Sequence, residues 1–310
     1  MDLFQILNVV LPIFLLICAG FLLGRLGFLK EDVNTALSRL IFYVSVPALL
    51  FRSAALTDLS EAINGTAIGL LAGATVLVAV AGYLLAFSAS SDRRGVIAQG
   101  THRSNIVFIG IPVITGALGS NETVMGTAAL LIGVLAPVYN FLAVVELTLP
   151  YSEGRSNSDL LARTAREVAL NPLILACAGG FLFSGIGLSL PLALDKTLDL
   201  LGSIAPPLAL LVVGASMKFQ GIKDHIAAGL MVSFGKLLLY PALVYFLFSL
   251  FDITGVYREV AVLLVATPTA VISHIFAKEM MGDEQLAGAI IILTTILSMI
   301  TIGGWLVFLG

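Results

Sequence analysis

The sequence predicts an all-α membrane protein: ten transmembrane helices forming two inverted five-helix repeats, with helices 4 and 9 broken and crossing. Three observations lead there. The 310 residues are 59% hydrophobic and 11% charged, with a mean hydropathy of +1.06, whereas soluble domains are about 45–50% apolar and about 25% charged. Short polar loops cut the chain into ten apolar stretches, each near the roughly 20 residues that a membrane helix requires. Prolines then interrupt the fourth and ninth stretches, which hold corresponding places in the two halves.

The elements follow in order. The first stretch, 4–24, opens on MDLFQ without the cationic segment of a cleaved signal, so it reads as a retained span. The second, 35–54, contains Pro47, and the third, 63–87, is almost wholly apolar. The fourth, 95–117, contains NIVFIGIPVITG, where Gly110, Pro112 and Gly116 stand inside a segment that needs every backbone bond it can make. The fifth, 123–148, closes a first five-helix repeat over 1–150. A linker at 151–167 follows; Ser158 and DLLARTAREV read either as a capped amphipathic helix on the cytoplasmic surface or as a plain solvated connection. The second repeat, 168–310, holds stretches at 168–187, 198–217, 226–250, 257–280 and 284–308.

Charge sets the orientation. Counted from the N-terminus, the odd loops hold Arg25, Lys30, Arg39, Arg93, Arg94, Arg155, Arg163, Arg166, Lys218, Lys223 and Lys278, while the even loops hold only Arg52, Lys196 and Arg258. Lysine and arginine gather on the cytoplasmic side, so both termini are expected on the outer side. The halves also resemble one another. GFLLGRLGF at 20–28 aligns with GFLFSGIGL at 180–188, Pro47 aligns with Pro207 at the same shift, and Pro112 meets Pro268 at a slightly smaller one. With five spans per half, equivalent helices run in opposite directions, an inverted repeat.

Proline removes an amide donor and crowds the carbonyl four residues back, here those of Phe108 and Leu264, so Pro112 and Pro268 are the expected break points. Paired breaks of this kind point to a binding site where half-helix N-termini bring partial positive charge to the mid-membrane and favour a carboxylate. Polar residues gather there. Thr101, His102, Arg103, Ser104 and Asn105 precede the first break; Thr267, Thr269, Ser273 and His274 surround the second. Arg103 can offer a planar fork to a carboxylate or, alternatively, snorkel to the interface. Asn105 can offer amide donors. Lys236 reads as a substrate or coupling group, or as the partner of a carboxylate such as Glu146, which solvation near the cytoplasmic boundary would also explain. His274 reads as a proton carrier or as a histidine bonded to a backbone carbonyl.

Other classes find no support in the sequence. A net charge of −3 and the lack of basic runs with interleaved aromatics argue against nucleic acid. Cys18 and Cys177 lie in apolar stretches and suggest neither a disulfide framework nor a metal site. No catalytic or nucleotide-binding motif can be assembled from the three histidines and the remaining residues, so no cofactor is expected and energy would come from gradients.

The motifs NIVFIGIP (105–112), APVYN (136–140, ending at Asn140), KLLLYP (236–241) and ATPTAVISHIFAKEMMGDEQLAG (266–288) resemble the auxin efflux carrier family, whose bacterial members are related more distantly to bile acid sodium symporters. The resemblance covers essentially the whole chain. It implies a scaffold and homodimer surface from helices 1, 2, 6 and 7, and a transport part from helices 3–5 and 8–10. It further implies a bacterial inner-membrane carrier of small organic carboxylates working by elevator-like displacement, with the substrate carboxylate bound at the crossover by an asparagine that Asn105 matches. The residues at and around the breaks add Arg103, Gly110, Pro112, Asn140, Pro268, Thr269 and Ser273 as candidates for the same site. His274, Lys236 and Glu146 would tune charge or coupling to protons or sodium. Two rival readings remain at this level: a sodium-coupled symporter using Thr101, Thr267, Thr269 and Ser273, and a non-transporting sensor or docking protein. The short linker and Thr267 depart from the family pattern.

Overall fold

The computed structural model describes residues 3–56, 64–151, 170, 172–217 and 222–309. Most of the 151–167 linker, including its expected surface helix, and Lys218 lie outside the described residues. Helix dominates, and no strand occurs among the described residues. The helices are α1 (Leu3–Arg25), α2 (Glu31–Leu40), α3 (Val46–Ala55), α4 (Gly65–Leu85), α5 (Ser91–His102), α6 (Ile111–Leu118), α7 (Glu122–Thr148), α8 (Pro172–Gly185), α9 (Leu192–Ser203), α10 (Ala205–Ala215), α11 (Ile222–Phe234), α12 (Tyr240–Leu250), α13 (Val256–Ala266), α14 (Ile272–Glu279) and α15 (Glu284–Leu309). Helix occupies each of the ten apolar stretches. Among the described residues six helical runs are long and apolar enough to cross a membrane unaided, and three further apolar helices are shorter.

Three of these runs stay continuous through a proline by widening one turn. π-Turns at Ile41–Ser45, Ile106–Gly110 and Gly235–Leu239 are each followed, after one residue, by a proline: Pro47, Pro112 and Pro241. A proline ring collides with the carbonyl four residues back and cannot bond to it. Bonding five residues back opens room for the ring, as in Val46 N–H to the Ile41 carbonyl, Gly110 N–H to that of Asn105 and Tyr240 N–H to that of Gly235. Pro112 is therefore not where the fourth stretch breaks, contrary to the sequence expectation. It lies in the first turn of α6, while the break falls at Arg103–Asn105. Pro268 does stand in its break, between α13 and α14. The two prolines aligned by sequence thus occupy different structural positions.

The other aligned motif repeats its local geometry. α1 and α8 both end on a left-handed glycine, Gly27 (φ 80°) and Gly187 (φ 71°). The next residue in each case reaches back, Phe28 N–H to the Leu23 carbonyl (3.0 Å) and Leu188 N–H to the Phe183 carbonyl (3.4 Å). This is the glycine-dependent cap that satisfies the last helical carbonyls.

Packing pairs α1 with α10, α3 with α8 and α9, α4 with α5, α5 with α7, α11 with α15, and α12 with α13. Without water to drive apolar surfaces together, membrane helices associate through close backbone approach at small residues. Gly20 of α1 lies against Leu211, Gly24 against Ala215, and Gly214 of α10 against Ile17.

Loops of like parity meet. Asn34 bonds Ser216 (2.8 Å), Arg93 bonds Asp283 (3.1 Å) and His225 (2.6 Å), and Tyr151 bonds the Met281 carbonyl (2.9 Å). Even-loop residues pair separately, Arg52 with Asp195 (2.6 Å) and the Asn64 amide with Tyr257 (3.3 Å). Successive stretches therefore run in opposite directions.

Candidate functional site at the crossing of two broken helices

The two breaks cross and bond through their main chains. Asn105 N–H donates to the Pro268 carbonyl (2.8 Å) and Ala270 N–H to the Arg103 carbonyl (2.9 Å), making Ser104 and Thr269 a single antiparallel bridge. Each break frees amides and carbonyls that would otherwise go unpaired in hydrocarbon, and each supplies what the other lacks. Side chains complete the pairing. Thr269 Oγ1 donates to the Gly100 carbonyl (2.8 Å), its amide donates to Thr294 Oγ1 (3.2 Å), and Ser104 Oγ donates to the Val265 carbonyl (3.3 Å). Thr267 and Thr101 donate to carbonyls three residues back, those of Leu264 and Ala98. Ser273 Oγ, buried in the same region, has no partner.

Asn105 is buried and caps the α6 segment: its Oδ1 accepts from the Phe108 amide (3.2 Å) while its carbonyl accepts from Ile109 and Gly110. Gly110 follows where a side chain would meet Leu264 at 3.0 Å. The carboxamide oxygen is thus committed to the helix, and its amide hydrogens are the part suited to a ligand.

Arg103 is 3% exposed and does not snorkel to an interface. Its guanidinium donates to Gln99 Oε1 (3.3 Å) and to Asn140 Oδ1 (2.7 Å), and lies 4.1 Å over the Phe276 ring. Gln99 in turn donates to the Ser273 carbonyl (3.1 Å). Two of the five donors a guanidinium carries are used, both on neutral oxygens, and no carboxylate among the described residues pairs with it.

Lys236 is wholly buried and does not pair with Glu146. Its ammonium donates to the carbonyls of Val265 (2.5 Å) and Thr267 (2.7 Å), closing the C-terminal end of α13 beside the break, where the helix dipole favours a cation. Lys236→Met should keep the packing and orphan both carbonyls, lowering stability by about 1.5–3 kcal/mol, read as an earlier thermal unfolding transition in detergent.

Glu146 is buried rather than solvated, and its partner is His102, whose Nε2 lies 3.2 and 3.1 Å from the two carboxylate oxygens. His274 stands apart from the crossing. Its side chain is 35% exposed and both ring nitrogens face Glu284, Nδ1 its carbonyl and Nε2 its carboxylate, each at 3.1 Å. The structure therefore brings together Asn105, Arg103, Asn140, Pro268, Thr269, Ser273 and Lys236, sets Pro112 beyond the π-turn in the first turn of α6, and places His274 apart. Phe276, the His102–Glu146 pair and the link from Gln99 to the Ser273 carbonyl went unread because their partners are distant in sequence.

Two discontinuous membrane helices joined at their breaks, with buried cations alongside, are the anatomy of a membrane transport protein. The particular family follows from sequence comparison: residues 5–306 match the membrane transport protein family, and the chain belongs to it, the auxin efflux carrier family that its motifs resemble. Among its relatives is a protein named "Putative malonate transporter" from Rhizobium meliloti (strain 1021), 28% identical over 97% of this chain and 95% of the relative. Uncharacterized transporters of Methanocaldococcus jannaschii (24% identical; 96% of this chain, 97% of the relative) and Methanothermobacter thermautotrophicus (26% identical; 97% of both) are similar over comparable lengths.

Proposed function

We propose that this chain is a gradient- or potential-driven carrier of small organic carboxylates, with the anion bound at the crossing between Arg103, Asn105 and the unpartnered hydroxyl of Ser273. The observation that carries this reading is the charge of the site. Arg103 and Lys236 are buried cations with only neutral oxygens as direct partners, while the one buried carboxylate nearby, Glu146, is bound to His102. Burying charge is costly in a low-dielectric interior, and a site left with surplus positive charge favours an anion. The N-terminus of α6 adds to the same field. The name of the Rhizobium relative is consistent with a dicarboxylate.

The assembly that goes with this function is an inverted pair of five-helix repeats, 1–150 and 168–310, joined by the linker. Helices of the first, second, sixth and seventh stretches form a homodimeric scaffold, and the remainder carries the crossing between the two sides. The chain sits in the bacterial inner membrane with both termini periplasmic. The grouping of odd loops, rich in lysine and arginine, supports that orientation. The matched caps at Gly27 and Gly187 support the repeat.

Asn105→Asp tests the site without dismantling it. Aspartate keeps the oxygen that caps α6 but replaces the amide donors with negative charge. Purified Asn105→Asp protein should unfold at nearly the wild-type temperature without ligand, and mono- and dicarboxylates that stabilise the wild type should no longer shift it. An undiminished shift with malonate would refute the assignment of Asn105.

A further inference from the structure

The His102–Glu146 pair is the feature that substrate binding leaves unexplained. His102 is the last residue of α5 and Glu146 lies on α7; both are buried. The histidine stacks on Tyr139, with ring centroids 5.7 Å apart and 20° between the planes. Facing the carboxylate with Nε2 obliges the ring to carry its hydrogen there while Glu146 is ionised, which leaves Nδ1 as a bare acceptor. That atom has no hydrogen-bond partner although it is buried. An unmatched buried acceptor on an imidazole is a place for a proton, because adding one converts a neutral ring beside a carboxylate into a neutralised ion pair.

The pair is also wired to the anion site. His102 and Arg103 are consecutive, and both grip α7, at Glu146 and at Asn140. Six residues separate those contacts, a rise of about 9 Å at 1.5 Å per residue. The other titratable or charged groups around the pair are Tyr139 on α7, Tyr240 on α12, Arg103, and Lys236, whose ammonium lies 5.3 Å from the Tyr240 ring. Tyr240 is held by Thr75 (2.6 Å) and lies 3.4 Å from the Tyr139 hydroxyl. The two cations discourage a further positive charge on His102 while the site is empty. An anion arriving at Arg103 offsets them.

We infer that His102 and Glu146 form the proton-coupling site of the carrier: anion binding beside Arg103 draws one proton onto His102 Nδ1, and the loaded site crosses with both. By linkage, the proton strengthens anion binding as much as the anion strengthens proton binding. The proton comes from bulk water on the loading side and returns to water on release, so no further reactant enters the balance. This inference rests on the carboxylate reading above.

The test uses the full-length protein in proteoliposomes, with malonate outside and a trapped pH dye inside. Wild-type protein should acidify the lumen as malonate enters, and an inward proton gradient of one unit should raise malonate accumulation about tenfold relative to equal pH, as one-to-one coupling requires. Glu146→Gln keeps a hydrogen bond to His102 but cannot hold the imidazolium as an ion pair. It should still be stabilised by malonate and still exchange labelled for unlabelled malonate, yet lose both the lumenal acidification and the tenfold response. His102→Gln should behave alike. Comparing variants at fixed pH removes the contribution of malonate's own ionisation. Proton movement that persists in a folded Glu146→Gln protein overturns the assignment, as does wild-type malonate uptake without proton movement, which would leave the carrier reading intact. If neither malonate nor a panel of other mono- and dicarboxylates binds or moves with the wild type, the carrier reading itself falls.

Discussion

Arg103→Gln is expected to weaken the proposed carboxylate binding, probed with malonate, about 10- to 150-fold, the range lost with a charge-assisted hydrogen bond worth about 1.5–3 kcal/mol. The substitution removes the buried fork that reaches from the break to Asn140 and leaves the ring of Phe276 without its cation. Malonate titration of detergent-purified protein by thermal shift, followed by uptake into proteoliposomes, reads the effect. Arg103→Lys is the informative companion. A lysine restores the charge but cannot span Gln99 and Asn140 while presenting a planar pair of donors, so it should recover part of the affinity and little of the selectivity between carboxylates. If Arg103→Gln binds malonate as the wild type does, the surplus charge at the crossing is not what recruits the anion.

The largest structural effect should come from a methyl group at the seam between α1 and α10. A Cβ at Gly214 would sit 1.9 Å from the Ile17 carbonyl oxygen, and one at Gly20 would sit 2.1 Å from the Leu211 carbonyl oxygen. Both contacts are backbone against backbone, so no side chain can swing away, and α1 must separate from α10 to admit either group. Gly214→Ala should therefore lose several kcal/mol and fall sharply in folded yield on size exclusion, beyond the roughly 1–3 kcal/mol usual for overpacking. Gly73→Ala is the control. Its Cβ meets nothing within 4 Å, and alanine is the better helix former, so the thermal transition should hold or rise. A Gly214→Ala protein as stable as the Gly73→Ala protein would mean that α1 and α10 do not pack as closely as described.

Much of the helical framework was legible because its signal is local. Each apolar stretch contains helix, and the left-handed glycines 27 and 187 end α1 and α8 within motifs whose similarity is visible in the sequence. The breaks were harder to place. Proline is the breaker a sequence displays, yet at Pro112 a single π-turn absorbs the ring and the helix runs on. What opens the chain at Arg103–Asn105 is the exchange of two backbone bonds with residues more than 160 positions away, and no window of sequence contains both partners. The polar run THRSN marked the neighbourhood correctly while the proline drew the break too far along.

The same logic governs the charges. Lys236 was readable as a costly buried cation, but its partners are the Val265 and Thr267 carbonyls at the end of α13, 29 and 31 residues further along the chain. Glu146 looked peripheral from its distance to a loop, and only the approach of α5 to α7 encloses it with His102. His274 had the right neighbours in sequence and the wrong direction in space, because helical periodicity turns it toward Glu284 while Ser273 faces inward.

The union between Asn105 and Pro268, and between Ala270 and Arg103, is made of amides and carbonyls alone. Every amino acid brings the same carbonyl, and all but proline bring the same amide. Substitutions at Ser104 or Thr269 accordingly leave these two bonds untouched, so the join between the broken helices does not depend on which side chains stand there.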